Sequence, residues 1–162
     1  MKITFLDVDG VLNRFCTKEK IEGYLGIEDQ FVQRLKNLID ATGAKIVLTS
    51  TWRRGWYCYD HSLCEKESDR QDIRMFEALK DKLFEFGIEL LGYTEDFGLR
   101  GEEIDKWLSE WKGEEIESFV ILDDKDGAEL RPHARFLVQT SLTEGFTEKH
   151  LKKAIHILNK PY

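Results

Sequence analysis

The chain has 162 residues, 41% of them hydrophobic and 34% charged, with only two prolines. That length suits one domain with a sizeable core, here read as residues 1–162, and the composition favours globular order over disorder. A formal net charge of −7 argues against a general affinity for nucleic acid or an anionic membrane, because phosphate neutralisation needs clustered Lys and Arg.

Three cysteines, Cys16, Cys58 and Cys64, form an odd count without a disulfide framework, and no apolar leader or spanning stretch stands at the N-terminus. The expectation is a reducing, cytoplasmic setting. Cys58, His61 and Cys64 offer three zinc-type donors where a structural site takes four, so an ordinary loop with free thiols is the simpler reading.

In chain order, the stretch KITFLDVDGVLN opens with an apolar run, Ile3 to Leu6, that stops at two aspartates and a glycine. Such a run reads as a strand buried on both faces of a parallel sheet, with Asp7 at its carboxyl end. In open α/β sheets that end is where ligands bind. Two carboxylates there repel and resist desolvation unless a cation or proton joins them, although D-x-D-G alone is equally an Asx-turn closing a strand. Residues 14–28 hold little more than a turn and a short flap. Phe31, Leu35, Leu38 and Ile39 then fall at helical spacing, with Gly43 as the stop. Lys45 to Thr49, KIVLT, reads as the second strand, ending in the hydroxyls of Thr49 and Ser50, and completes a right-handed βαβ unit.

Residues 51–72 show no apolar period and read as a long loop, carrying Arg53, Arg54, Trp56, Tyr57 and Tyr59. Two readings stand side by side for it: a cover that meets an anionic substrate, or tryptophans packed into the core with solvated arginines. Ile73 to Phe86 returns to helical spacing, with Gly87 as its stop, before a third strand, Ile88 to Tyr93. Ile104, Trp107, Leu108 and Trp111 share one face of a helix over 98–111. Ser118 to Leu122 is a fourth strand, followed by Asp123 and Asp124. Arg135 to Thr140 is a fifth, and Thr147 caps a final amphipathic helix. Alternating strands and helices imply a three-layer α/β/α sandwich with a mainly parallel sheet.

The first stretch resembles the opening signature of the haloacid dehalogenase (HAD) superfamily of phosphohydrolases, D-x-D-x-[TV]-[LV], matched by Asp7, Asp9, Val11 and Leu12. The resemblance implies a Rossmann-like fold with sheet order 5-4-1-2-3, Asp7 as nucleophile and Asp9 as general acid and base. It extends through three further signatures. KIVLTS matches the hydroxyl that holds the transferring phosphoryl, with Thr49 favoured and Ser50 next. Arg100 in RGEEI fits the cationic position, with Lys106 as second choice. FVILDD matches the acidic close of the fourth strand, so the resemblance runs from Lys2 to about Asp126. Magnesium would be the cofactor, held by Asp7, the main-chain carbonyl of Asp9, and one or both of Asp123 and Asp124, an oxygen donor set that suits a hard cation.

Family members usually gain specificity from a cap domain, and neither insertion point carries one here. FLDVDGVLN, LTSTWR, RGEEIDKWL, VILDD and LVQT followed by GFT are similar to a small cap-less subgroup known partly as a domain of multi-domain RNA repair proteins. The expected activity is therefore magnesium-dependent hydrolysis of a phosphomonoester through an aspartyl-phosphate, on a nucleotide, a nucleic-acid end or another bulky phosphoester. Arg53, Arg54 and Trp56 are its candidate substrate contacts. The alternative from a different class is a catalytically silent binding module of the same fold, which would have little reason to keep four costly carboxylates. Phosphotransfer or dehalogenation on the same nucleophile is a further variant, and Asp9 favours phosphate because a dehalogenase does not need it.

Overall fold

In the computed structural model, which describes residues 1–125 and 128–160, the apolar run Lys2–Leu6 forms β1, the middle strand of a five-stranded parallel sheet. The short strands β2 (Lys20–Ile21) and β3 (Tyr24–Leu25) pair antiparallel as a hairpin, and α1 (Asp29–Thr42) follows. Next come β4 (Lys45–Leu48), α2 (Arg53–Asp60), α3 (Glu67–Glu85), β5 (Leu90–Tyr93) and α4 (Arg100–Glu110). β6 (Ser118–Asp123), a 3-10 helix over Arg131–Phe136, β7 (Leu137–Gln139) and α5 (Glu148–Leu158) complete the chain. The sheet order is β5-β4-β1-β6-β7. Counting only the five sheet strands along the chain, this is the expected 5-4-1-2-3 order.

The strands alternate between two cores, as a period of two demands. Leu6, Ile46, Leu48, Val120 and Leu122 face the side covered by α1, α3 and α5, where Phe31, Leu35, Leu79, Leu83 and Leu151 meet them. Ile3, Phe5, Val47, Phe119 and Ile121 face the other side, where α4 supplies Ile104 and Trp107. Phe5 meets Trp107 and Phe119 edge-on, with ring centroids 5.5 and 5.7 Å apart. The helix stops fall where expected: Gly43 and Gly87 have φ of 71° and 70°, which their missing side chain permits. Thr147 closes a capping box with His150 at the start of α5.

The long loop expected over 51–72 is a correction. Eight of its residues form α2, and α3 begins at Glu67 rather than near Ile73. Local pattern misled because α2 is a short helix defined by what it packs on: Trp56 stacks against Phe76 of α3 at 5.1 Å and leans on Tyr93 at 4.9 Å. The fifth strand is likewise shorter than expected, since Arg131–Phe136 turns as a 3-10 helix before Leu137. No cap domain interrupts the described residues, and the flap over 14–28 is the β2–β3 hairpin. No helix among them is long and apolar enough to cross a membrane.

Candidate active site

Register sets the site. Leu6 pairs with Leu48 on one side and Leu122 on the other, so three strands end level. The ladder carries one step beyond: the Asp7 N–H donates to the Leu122 carbonyl at 2.9 Å, and the Thr49 N–H to that of Leu6 at 2.8 Å. Asp7, Thr49 and Asp123 thus emerge in one row at the carboxyl edge of the sheet, the edge at which α/β folds bind ligands.

Asp7, Asp123 and Asp124 each offer a carboxylate oxygen within 4.8 Å of the others. Burial pushes the Asp7 carboxyl up to about 7, and Asp123 adds to the rise, while Arg100, the Val8 N–H and Ser50 oppose it. Asp123 and Asp124 are also held above the usual carboxylate range, chiefly by burial. For Asp124 the negative charges of Asp7 and Asp9 add to it. Three crowded, desolvated carboxylates make a donor set that a hard divalent cation would relieve, and all-oxygen donors suit Mg²⁺. Gly10 lets the turn after β1 close on this cluster. Its φ is 75°, and a Cβ there would stand 2.6 Å from the Cβ of Asp124.

Arg100 is the cation of the site. Its Nη1 donates to Asp123 Oδ2 at 2.8 Å and to Thr49 Oγ1 at 3.1 Å, and lies 3.8 Å from Asp7 Oδ1. A positive charge at the first residue of α4 opposes the helix dipole, so the carboxylates rather than the helix account for it. Lys106 lies elsewhere, paired with Glu95 and Glu110. The Ser50 side chain draws the Asp7 carboxyl down, and its Oγ accepts the Trp52 N–H at 3.4 Å.

Asp9 is held apart from the cluster. Asn13 Nδ2 donates to its Oδ1 at 2.8 Å and the Trp52 indole to its Oδ2 at 3.2 Å. Of Asp9, only the main-chain carbonyl remains for the ligand role expected of it. Asn13 also accepts the Gly10 N–H and donates to the Gly26 carbonyl, at 2.9 and 3.1 Å. One buried amide therefore ties the Asp9 side chain to the turn and to the hairpin. Neither Asn13 nor Trp52 was a candidate from sequence; Asn13, four residues after Asp9 in a turn, carried the one available signal.

Of the three expected substrate contacts, Arg53 is only 2% exposed. Its Nη2 meets Glu103 at 2.9 Å and Asp96 at 3.1 Å, and its Nη1 donates to the Thr49 carbonyl. Glu103 lies 3.6 Å from Arg100 and accepts the N–H groups of Phe97 and Gly98. A chain of alternating charge, buried at Asp7, Arg100, Glu103 and Arg53 and ending at the exposed Asp96, thereby runs out from the strand tips. Trp56 is packed between α2 and α3. Arg54 is exposed, paired with Asp96 at 2.7 Å. It lines two hollows: one of about 640 Å³ with Tyr57, His61 and Tyr93, and one of about 220 Å³ that contains Asp9.

The family of HAD domains in Swiss Army Knife RNA repair proteins matches residues 3–151 of this chain. The chain belongs to this family. The match continues past Asp126, itself outside the described residues, to take in β7 and the first turn of α5, so the family match reaches beyond the last signature. No curated protein and no solved structure matches the chain. Membership carries HAD-type phosphohydrolase chemistry and an RNA repair context in broad terms.

Proposed function

We propose that this HAD domain is a magnesium-dependent phosphomonoesterase acting through an aspartyl-phosphate on a phosphorylated nucleotide or nucleic-acid end. One observation carries the reading: Arg100 Nη1 stands against Asp123, Thr49 and Asp7 together, where a phosphoryl group in transit would meet a cation, a hydroxyl and a nucleophile. Asp7 attacks phosphorus in line, and the leaving oxygen takes a proton from Asp9. Asp9 then removes a proton from water, which attacks the aspartyl-phosphate and restores Asp7. Each Asp9 oxygen accepts one side-chain hydrogen bond, from Asn13 at 2.8 Å and from Trp52 at 3.2 Å, and a lone pair is left on each to carry the transferred proton.

Asp7 and Asp124 would hold the cation directly. Asp123 also orients Arg100 through Oδ2 and accepts the Lys125 N–H at 2.9 Å through Oδ1, and its remaining lone pairs still face the cluster as a further ligand for the cation. Bound there, the cation would neutralise charge that otherwise keeps a carboxylate from a phosphate dianion.

The test is hydrolysis of 3′- and 5′-phosphorylated mononucleotides and short oligonucleotides with Mg²⁺ by wild type and Asp7→Asn. Turnover should vanish in the variant while its melting temperature holds or rises, because a repelling buried carboxylate is gone. Near wild-type turnover in Asp7→Asn would remove Asp7 as nucleophile.

A further inference from the structure

Beyond Asp9 and Trp52, the hollow of about 220 Å³ is lined by groups that phosphoryl transfer does not use, among them Tyr24, Arg54, Gln71, Asp72 and Met75. The leaving group must enter here if Asp9 protonates it. The volume lies below the ~300 Å³ at which small-molecule pockets usually begin, so one unit of a larger substrate fits and a long stretch does not.

Tyr24 stands out on this wall. It is 58% exposed, on the β2–β3 hairpin. Two-residue strands do not hold a position by themselves. The hairpin turns through Glu22 and Gly23, at φ of 52° and 83°, and is fastened to α3. Arg74 grips the Glu22 carboxylate with Nε and Nη2 at 2.7 and 3.1 Å, and Gln71 donates to the Glu22 carbonyl at 3.3 Å. A two-pronged grip is the geometry in which a surface ion pair fixes a position. Glu22 is also in a left-handed conformation that a non-glycine residue keeps only when its surroundings hold it there. A wide aromatic face is thus fixed at the rim of the leaving-group hollow, with Arg54 on the same wall between its partner Asp96 and Asp72, a cation that a phosphate would share with them.

We propose that this hollow takes the terminal nucleoside of the substrate, its base stacked on Tyr24 and its next phosphate beside Arg54. The proposal rests on the phosphatase reading and names what that site selects. Stacking suits this chain: a net charge of −7 disfavours a general electrostatic hold on a nucleic-acid backbone. Recognition then falls on one base, for which aromatic stacking is the sequence-tolerant means.

The test compares the 3′- and 5′-monophosphates of adenosine with ribose 5-phosphate, which keeps the sugar and ester and lacks the base. Wild type should show a KM roughly tenfold or more lower for the better adenosine ester than for ribose 5-phosphate, in line with the usual worth of one stacked base. Tyr24→Ala should bring that ratio to within about twofold of unity, Tyr24→Phe should keep it, and Arg74→Ala, which frees the hairpin, should fall between. Equal KM values in wild type, or a ratio untouched by Tyr24→Ala, would overturn the proposal while leaving the phosphatase reading intact. If no ester is hydrolysed, the phosphatase reading fails on its own. Base recognition is then read from quenching of tryptophan fluorescence by adenosine, and quenching that survives Tyr24→Ala, or none in wild type, overturns it as well.

Discussion

Replacing Arg100 by Met keeps most of the side-chain volume and removes the cation that meets Asp123 at 2.8 Å and Asp7 at 3.8 Å. Asp123 is fully buried and Asp7 nearly so. Taking one partner from a buried pair leaves an uncompensated charge and costs about 3–5 kcal/mol. In a domain of this length each kcal/mol moves the melting temperature by about 2–4 °C, so Arg100→Met should melt roughly 6–20 °C lower at pH 7.5. The deficit should depend on pH in a definite direction. Burial raises the carboxyls of Asp7 and Asp123, and Arg100 holds them down, so its removal raises them further. A carboxyl raised in the folded state stabilises at low pH and loses that contribution as pH climbs through its folded value. Arg100→Met should therefore be least damaging near pH 5 and most damaging above pH 7. Adding Asp123→Asn to it should recover much of the loss, because the stranded charge is gone. Denaturation of the three proteins in chelator across pH 5–8 measures all of this. A loss under about 3 °C at pH 7.5, or one as large at pH 5, would refute the reasoning.

The metal-free wild type should itself lose stability as pH rises from about 4 through 7: moving Asp7 from 3.8 to about 7 at 1.36 kcal/mol per pH unit corresponds to roughly 4 kcal/mol. Mg²⁺ should flatten that slope by replacing the proton, and a slope identical with and without it would argue against a cation among Asp7, Asp123 and Asp124. Asn13→Ala strands the Gly10 N–H and the Gly26 carbonyl, so it should cost about 2–4 kcal/mol in denaturant unfolding. It should also lower kcat more than it raises KM, since Asp9 loses the donor that orients it; a pure KM effect would place Asn13 outside the chemistry.

The strand tips were legible because burial on both faces forces a continuous apolar run, and a carboxylate ending such a run is chemically conspicuous. Asp7, Thr49, Asp123 and Asp124 were visible in this way, Arg100 only through the resemblance of RGEEI to the family's cationic position, and the structure brings the five together. Helix α2 was not. Its sequence, RRGWYCYD, has a glycine that reads as a breaker, yet a Cβ at Gly55 would lie 2.0 Å from the Asp72 carbonyl oxygen. The glycine is there so that α2 and α3 can cross closely, a need set by a partner some seventeen residues away in sequence. Arg53 was misplaced for a related reason. An arginine next to a strand end looks like a free cation until Glu103, fifty residues on, proves to be buried against it. Asn13 and Trp52 escaped because a hydrogen bond to a particular carboxylate leaves no periodic trace.

The hairpin is joined to the catalytic scaffold by the Gly26 carbonyl on Asn13, the Glu28 N–H on the Leu12 carbonyl, the Glu22 grip from α3, and Ile21 packed against the core. None of its residues lies in the sheet that aligns Asp7, Thr49 and Asp123. Inherited change at exposed positions such as Tyr24 can therefore be sampled while Ile21 and Glu22 keep the hairpin in place, because a variant that alters what the rim accepts leaves the reacting groups in register. The same economy offers a graft point for engineering: a longer excursion at Glu22 and Gly23 would build outward over the Asp9 hollow without asking the sheet to refold.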